Sequence, residues 1–114
     1  MLYLAIALFV LAAVFGLVLL TAILRNRPTP KPVVFIHGTV AVIALLIVIT
    51  YIAQNQGSGP ILSLVLFILA ALGGITLFTI DMQNKPIPKW IAIVHPLVAA
   101  SGLIALIFFV TQLV

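Results

Sequence analysis

Four apolar runs alternate with three short polar breaks along this chain. The runs cover roughly Leu2–Leu24, Val33–Ala53, Ile61–Ile80 and Trp90–Leu113, and the breaks are Arg25–Pro32, Gln54–Pro60 and Asp81–Lys89. A helix that crosses a bilayer takes about 20 apolar residues. None of the four runs keeps the polar stripe that a helix turns toward water. The pattern predicts four membrane-spanning helices. The prolines agree with it. Pro28, Pro30, Pro32, Pro86 and Pro88 fall in breaks, where no helical N–H is lost, and Pro60 stands where it can begin a helix. Only Pro96 interrupts a run.

Composition removes the alternatives. Of 114 residues, 66% are hydrophobic and 5% charged, with a mean hydropathy of +1.50. Soluble domains average about 45–50% apolar and about 25% charged residues, so a water-soluble domain, a disordered chain and a coiled coil are all excluded. The absence of cysteine excludes a disulfide, an iron–sulfur cluster, a thiolate zinc site and covalent c-type haem attachment. No carboxylate pair, nucleophile with its base, phosphate loop or nucleic-acid surface appears. The chain therefore reads as a carrier or subunit rather than an enzyme, with the lipid bilayer as its surroundings and no nucleic-acid partner.

The placement of charge sets an orientation. Arg25, Arg27, Lys31, Asp81, Lys85 and Lys89 are all the charged residues, and all lie in the first and third breaks. With four spans those breaks share a side. The positive-inside rule puts loops 25–32 and 81–89 in the cytoplasm and both termini outside, as in an integral protein of the bacterial inner membrane. The first run lacks the basic lead and the small-residue cleavage site of a secretory signal.

Sliding the chain by 58 positions aligns its halves without a gap. Leu11-Ala12-Ala13 falls on Leu69-Ala70-Ala71, Gly16 on Gly74, Thr21 on Thr79, Asn26 on Asn84, Pro28 on Pro86, Pro30-Lys31 on Pro88-Lys89, His37 on His95, and Val40-Ala41 on Val98-Ala99. Leu and Ala coincide easily between apolar helices; Asn, Pro, Lys and His do not. The expected fold class is an all-α membrane four-helix bundle, residues 1–114 forming one domain. It is built by tandem duplication of a two-helix hairpin, with repeats at about 1–56 and 59–114. Each unit has an even number of spans, so a pseudo-two-fold axis along the membrane normal relates them. Equivalent residues then stand at equal depth on opposite sides of a shared centre.

The chain has two histidines, and they occupy equivalent positions. Each follows a Pro-Lys break by six residues, about 6–10 Å into its span at about 1.5 Å per residue. An ionisable residue inside a span is a functional candidate, and neutral imidazole is a metal ligand. His37 and His95 are the expected axial ligands of one haem b. Ala41, Ala44, Ala99 and Gly102 lie one and two turns further along the same faces and are expected to leave a flat slot for the ring. Arg25, Arg27, Lys31, Lys85 and Lys89 stand on the side where they would meet its propionates. Haem iron is commonly held by histidine, and facing helices of a bundle commonly build cofactor sites.

Other readings of the histidines remain open. A buried His can simply donate to a carbonyl of its own or a neighbouring helix. That is the expectation if the chain is a cofactor-free structural subunit of a membrane complex. Each His could instead ligate its own (bacterio)chlorophyll, with Gly38 leaving room beside one ring where Pro96 closes the other. A small multidrug transporter fits less well, because the first helix has no acidic residue and the charge bias imposes a single orientation.

In architecture, and in the pair His37 and His95, the chain resembles the four-helix membrane b-type cytochromes. These include the bacterial cytochrome b561-like proteins and the haem-bearing anchor subunits of respiratory complexes. Many of those carry four histidines for two haems; this chain has two. The resemblance implies one bis-histidine haem near the basic side, relaying electrons to quinone, another partner, or other subunits of a redox complex. Of the remaining residues, Ala12-xxx-Gly16 and Ala70-xxx-Gly74 read as small-residue patterns for close helix packing, with Gly73-Gly74 also able to leave space for a ring edge. Tyr3, Tyr51 and Trp90 read as interfacial anchors. Met82 is discounted as a ligand, because its repeat partner is Leu24. Asp81 is expected in a solvated loop beside a Lys or Arg, and Thr21, Thr76, Thr79 and Ser101 are expected to bond their own helix backbones.

Overall fold

A computed structural model describes residues 1–113. It contains four helices, α1 (Leu2–Leu24), α2 (Lys31–Gln54), α3 (Ile61–Met82) and α4 (Lys89–Gln112). Each is long and apolar enough to cross a membrane. At 22–24 residues they run about 33–36 Å, and the bundle measures 43 × 19 × 19 Å. Short connections make neighbours antiparallel. α1 packs mainly on α2, and α3 on α4; α1 also lies along α4, while α2 meets α3 more sparsely. This leaves α1 and α3 on one diagonal of the square, and α2 and α4 on the other.

The breaks show why their odd residues recur at an offset of 58. α1 ends with Asn26 at φ 57°, and α3 with Asn84 at φ 56°. In this left-handed conformation Asn is one of the few comfortable side chains. The turn it makes lets the Arg27 N–H reach the Ala22 carbonyl (2.9 Å) and the Lys85 N–H reach the Ile80 carbonyl (3.2 Å). Carbonyls that would otherwise be orphaned at the helix ends are thereby satisfied, as in a Schellman motif. Prolines then stop the helix from continuing and open the next one: Pro30 and Pro88 are the N-caps of α2 and α4.

The core is strongly uneven along the bundle. Toward the end carrying the termini it is closed: Leu2, Ala5 and Phe9, Ala44, Val48 and Ile52, Phe67, and Leu106 and Val110 form one buried cluster. At its centre Phe9 and Phe67 stack across the α1–α3 diagonal. Toward the basic end, beyond Ala12 and Ala70, burial thins, and Ala92 and Thr29 are the buried residues there.

Asp81 differs from expectation. It lies in the last turn of α3, not in a loop, and its side chain is only 15% exposed. An acid is unfavourable at a helix C-terminus, and a local clip compensates for it. Lys31 Nζ lies 2.9 Å from Asp81 Oδ2, Thr29 Oγ1 donates to the same oxygen at 2.6 Å, and Lys31 Nζ donates to Thr29 Oγ1 at 2.9 Å. The clip joins the first and third breaks, and therefore the two hairpins. Thr21, Thr76, Thr79 and Ser101 do bond their own helices, each donating to the carbonyl four residues back. Tyr3 and Trp90 are exposed, near opposite ends of the bundle.

Candidate functional site at the histidine pair

His37 on α2 and His95 on α4 face each other across the second diagonal. Their ring centres are 6.3 Å apart and their planes 86° from parallel. Both are half-buried. The two rings are held alike. His37 Nδ1 lies 2.8 Å from the Ala12 carbonyl of α1, and His95 Nδ1 lies 2.7 Å from the Ala70 carbonyl of α3. A carbonyl only accepts, so each Nδ1 carries the proton and donates it. In a neutral ring Nε2 is then the acceptor, and neither Nε2 has a hydrogen-bond partner among the described residues.

The glycines explain how a ring fits against its neighbour. A Cβ at Gly16 would stand 3.1 Å from His37 Cε1, and one at Gly74 3.1 Å from His95 Cε1. A Cβ at Gly73 would stand 3.6 Å from both Cβ and Nδ1 of His95. These small residues of α1 and α3, first read as helix-packing patterns, are where the imidazoles sit. Hydropathy and spacing alone carry no signal of that, because the same pattern also serves plain helix contact.

The slot expected at Ala44 and Gly102 is not there. Ala44 is fully buried, and the space over Gly102 is filled by Phe67, whose ring atoms would come within 3.1 Å of a Cβ there. A large aromatic ring reaches in from α3 and takes the volume that the small residues leave. Ala41 and Ala99, one turn from the histidines, are half-buried. Of the expected basic set, Arg25, Arg27, Lys85 and Lys89 are exposed at the basic end, while Lys31 is committed to Asp81. Met82 is exposed at 37%.

The donor set has a definite chemistry. Ring centres 6.3 Å apart would leave room for one metal between the imidazoles, a metal–nitrogen bond being about 2.0–2.1 Å. Among the described residues no third His, Cys, Asp or Glu joins the pair. Two imidazoles by themselves leave most of a metal's coordination positions open. An Nδ1–H donated to a carbonyl, with Nε2 left over, is the usual state of a ligating histidine. The chain matches no protein-family model, no curated protein and no solved structure.

Proposed function

We propose that this chain is an integral membrane protein built by duplication of a hairpin, and that it carries electrons on one haem b held between His37 and His95. The observation that carries the reading is the pair of free Nε2 atoms on rings 6.3 Å apart. The apolar composition, the four long helices and the recurrence of both rings at an offset of 58 support the membrane and duplication parts.

Each residue has a plain task in this reading. When bound, haem supplies a one-electron iron couple. His37 and His95 would hold its iron through Nε2, and the Ala12 and Ala70 carbonyls keep the proton on Nδ1, which raises the basicity of the ligating nitrogen. Phe9 and Phe67 close the bundle toward the termini and limit the group to the histidine level and the basic end. Arg25, Arg27, Lys85 and Lys89 supply cations for carboxylates there. With the basic end cytoplasmic, electron exchange occurs on that side, with quinone or another redox subunit. Electron transfer across the whole membrane then requires a second carrier.

The test is optical. The full chain, purified from haem-replete cells, is expected to show a b-type spectrum that shifts on reduction with dithionite. His37→Ala and His95→Ala should each abolish the low-spin species. A folded but colourless protein would overturn the haem reading and leave a structural subunit. A green or near-infrared pigment would replace haem with (bacterio)chlorophyll.

A further inference from the structure

We infer that Gly16 and Gly74 are positioning residues, each holding its histidine ring so that Nδ1 donates to the adjacent helix and Nε2 is left free. All three heavy atoms nearest a Cβ at Gly16 belong to the His37 ring: Cε1 at 3.1 Å, Nδ1 at 3.4 Å and Nε2 at 3.9 Å. All three nearest a Cβ at Gly74 belong to His95: Cε1 at 3.1 Å, Nε2 at 3.6 Å and Nδ1 at 3.7 Å. What these glycines admit is therefore an imidazole, and a helix backbone is not among their nearest neighbours.

The hydrogen bond depends on the same space. Within an α-helix the N–H of residue 16 points at the carbonyl of residue 12, and that of residue 74 at residue 70. The carbonyls that accept from the two Nδ1 atoms are thus the ones paired with the two glycines. A methyl group at either glycine would lie beside that bond. The ring is rigid and has only two torsions, so relief moves the whole ring by a few tenths of an ångström and lengthens the Nδ1 contact. The carbonyl accepts only from the Nδ1–H tautomer, so a weaker contact lowers the preference for it. The consequence for a bound metal rests on the haem reading; the tautomer itself does not.

The experiment uses the full chain in lipid nanodiscs with 15N-labelled histidine, prepared without haem, and nitrogen NMR to read the tautomer of each ring. Wild type is expected to show Nδ1–H at both rings. Gly16→Ala should lower the Nδ1–H to Nε2–H ratio of His37 about fivefold, the equivalent of one net hydrogen bond, and leave His95 unchanged. Gly74→Ala should do the reverse. Gly38→Ala, where nothing apart from the adjoining residues lies within 4 Å of a Cβ, should change neither. An Nε2–H wild type, tautomers indifferent to either glycine variant, or an equal change at both rings in a single variant would overturn the inference. A second arm loads haem. There Gly16→Ala and Gly74→Ala should raise the high-spin fraction and the midpoint potential, and Gly38→Ala should not. If wild type takes up no haem but the tautomers respond as expected, the proposed function fails and the positioning role stands.

Discussion

Phe9 and Phe67 stack with ring centres 3.8 Å apart and planes 4° from parallel, and they stand 58 positions apart in the chain, the same offset as His37 and His95. One pair lies on each diagonal of the bundle, and each pair meets at the centre. The aromatic pair closes one half of the molecule, and the imidazole pair occupies the level just beyond it.

Removing either phenylalanine opens a hole at the centre of the closed half. Phe9→Ala and Phe67→Ala are each expected to cost about 3–5 kcal/mol. A double-mutant cycle should assign about 0.5–1.5 kcal/mol of that to the ring pair itself. Reversible unfolding in mixed micelles checks both figures. Because the histidines sit at a different level, their ring tautomers should be the same in Phe9→Leu as in wild type.

The helix ends offer a sign test. Asn26 and Asn84 hold φ near 57°, so Asn26→Ala and Asn84→Ala should each destabilise by roughly 1 kcal/mol, the cost of a left-handed conformation for an ordinary residue. Asn26→Gly and Asn84→Gly should be neutral or stabilising, since glycine pays no such penalty. Thermal denaturation of the four variants decides it. A uniform loss would assign the role to the side-chain amide and not to the backbone.

The clip predicts an asymmetry between its charged partners. Asp81→Asn removes an acid from the wrong end of a helix dipole as well as a partner of Lys31, so its net effect should be within about 1 kcal/mol. Lys31→Met leaves a largely buried carboxylate facing one hydroxyl, and should cost more than Asp81→Asn. Melting temperatures of the two variants, compared at low and high salt, measure the difference.

Orientation can be read directly, because the chain has no cysteine of its own. Ser58→Cys lies in the uncharged break and Lys85→Cys in a basic one. In intact cells an impermeant maleimide should label Ser58→Cys at once, and Lys85→Cys only after permeabilisation. The opposite pattern would invert the assignment.

The four helices were legible because apolar run length is a direct signal of span length, and their ends fall within a few residues of the runs. Lys31, Asp81, Met82 and Lys89 extended those helices beyond the expected bounds; charge marked Lys31, Asp81 and Lys89 as loop, yet Lys89 at its helix end is exposed and Asp81 is matched by Thr29 and Lys31. The histidine pair was legible because two rare residues repeat in register. Its setting was not. Gly16 looked like any small residue on a packing face, and only the approach of α2 shows that an imidazole uses the gap. Gly102 looked like empty space, and only the path of α3 shows Phe67 inside it. Asn26 and Asn84 announced the repeat, while their backbone role required the dihedral angles.

The Thr29–Lys31–Asp81 contact has no counterpart on the other side of the bundle. Positions 87 and 23, which correspond to Thr29 and Asp81, are both isoleucine. Two copies of the first hairpin would bring a lysine to the seam with no carboxylate to receive it, whereas two copies of the second would bring both Asp81 and Lys89, the counterpart of Lys31, and lack only the hydroxyl. Expressed alone, the first hairpin should therefore pair poorly with itself, because the one acid that the clip needs belongs to the second.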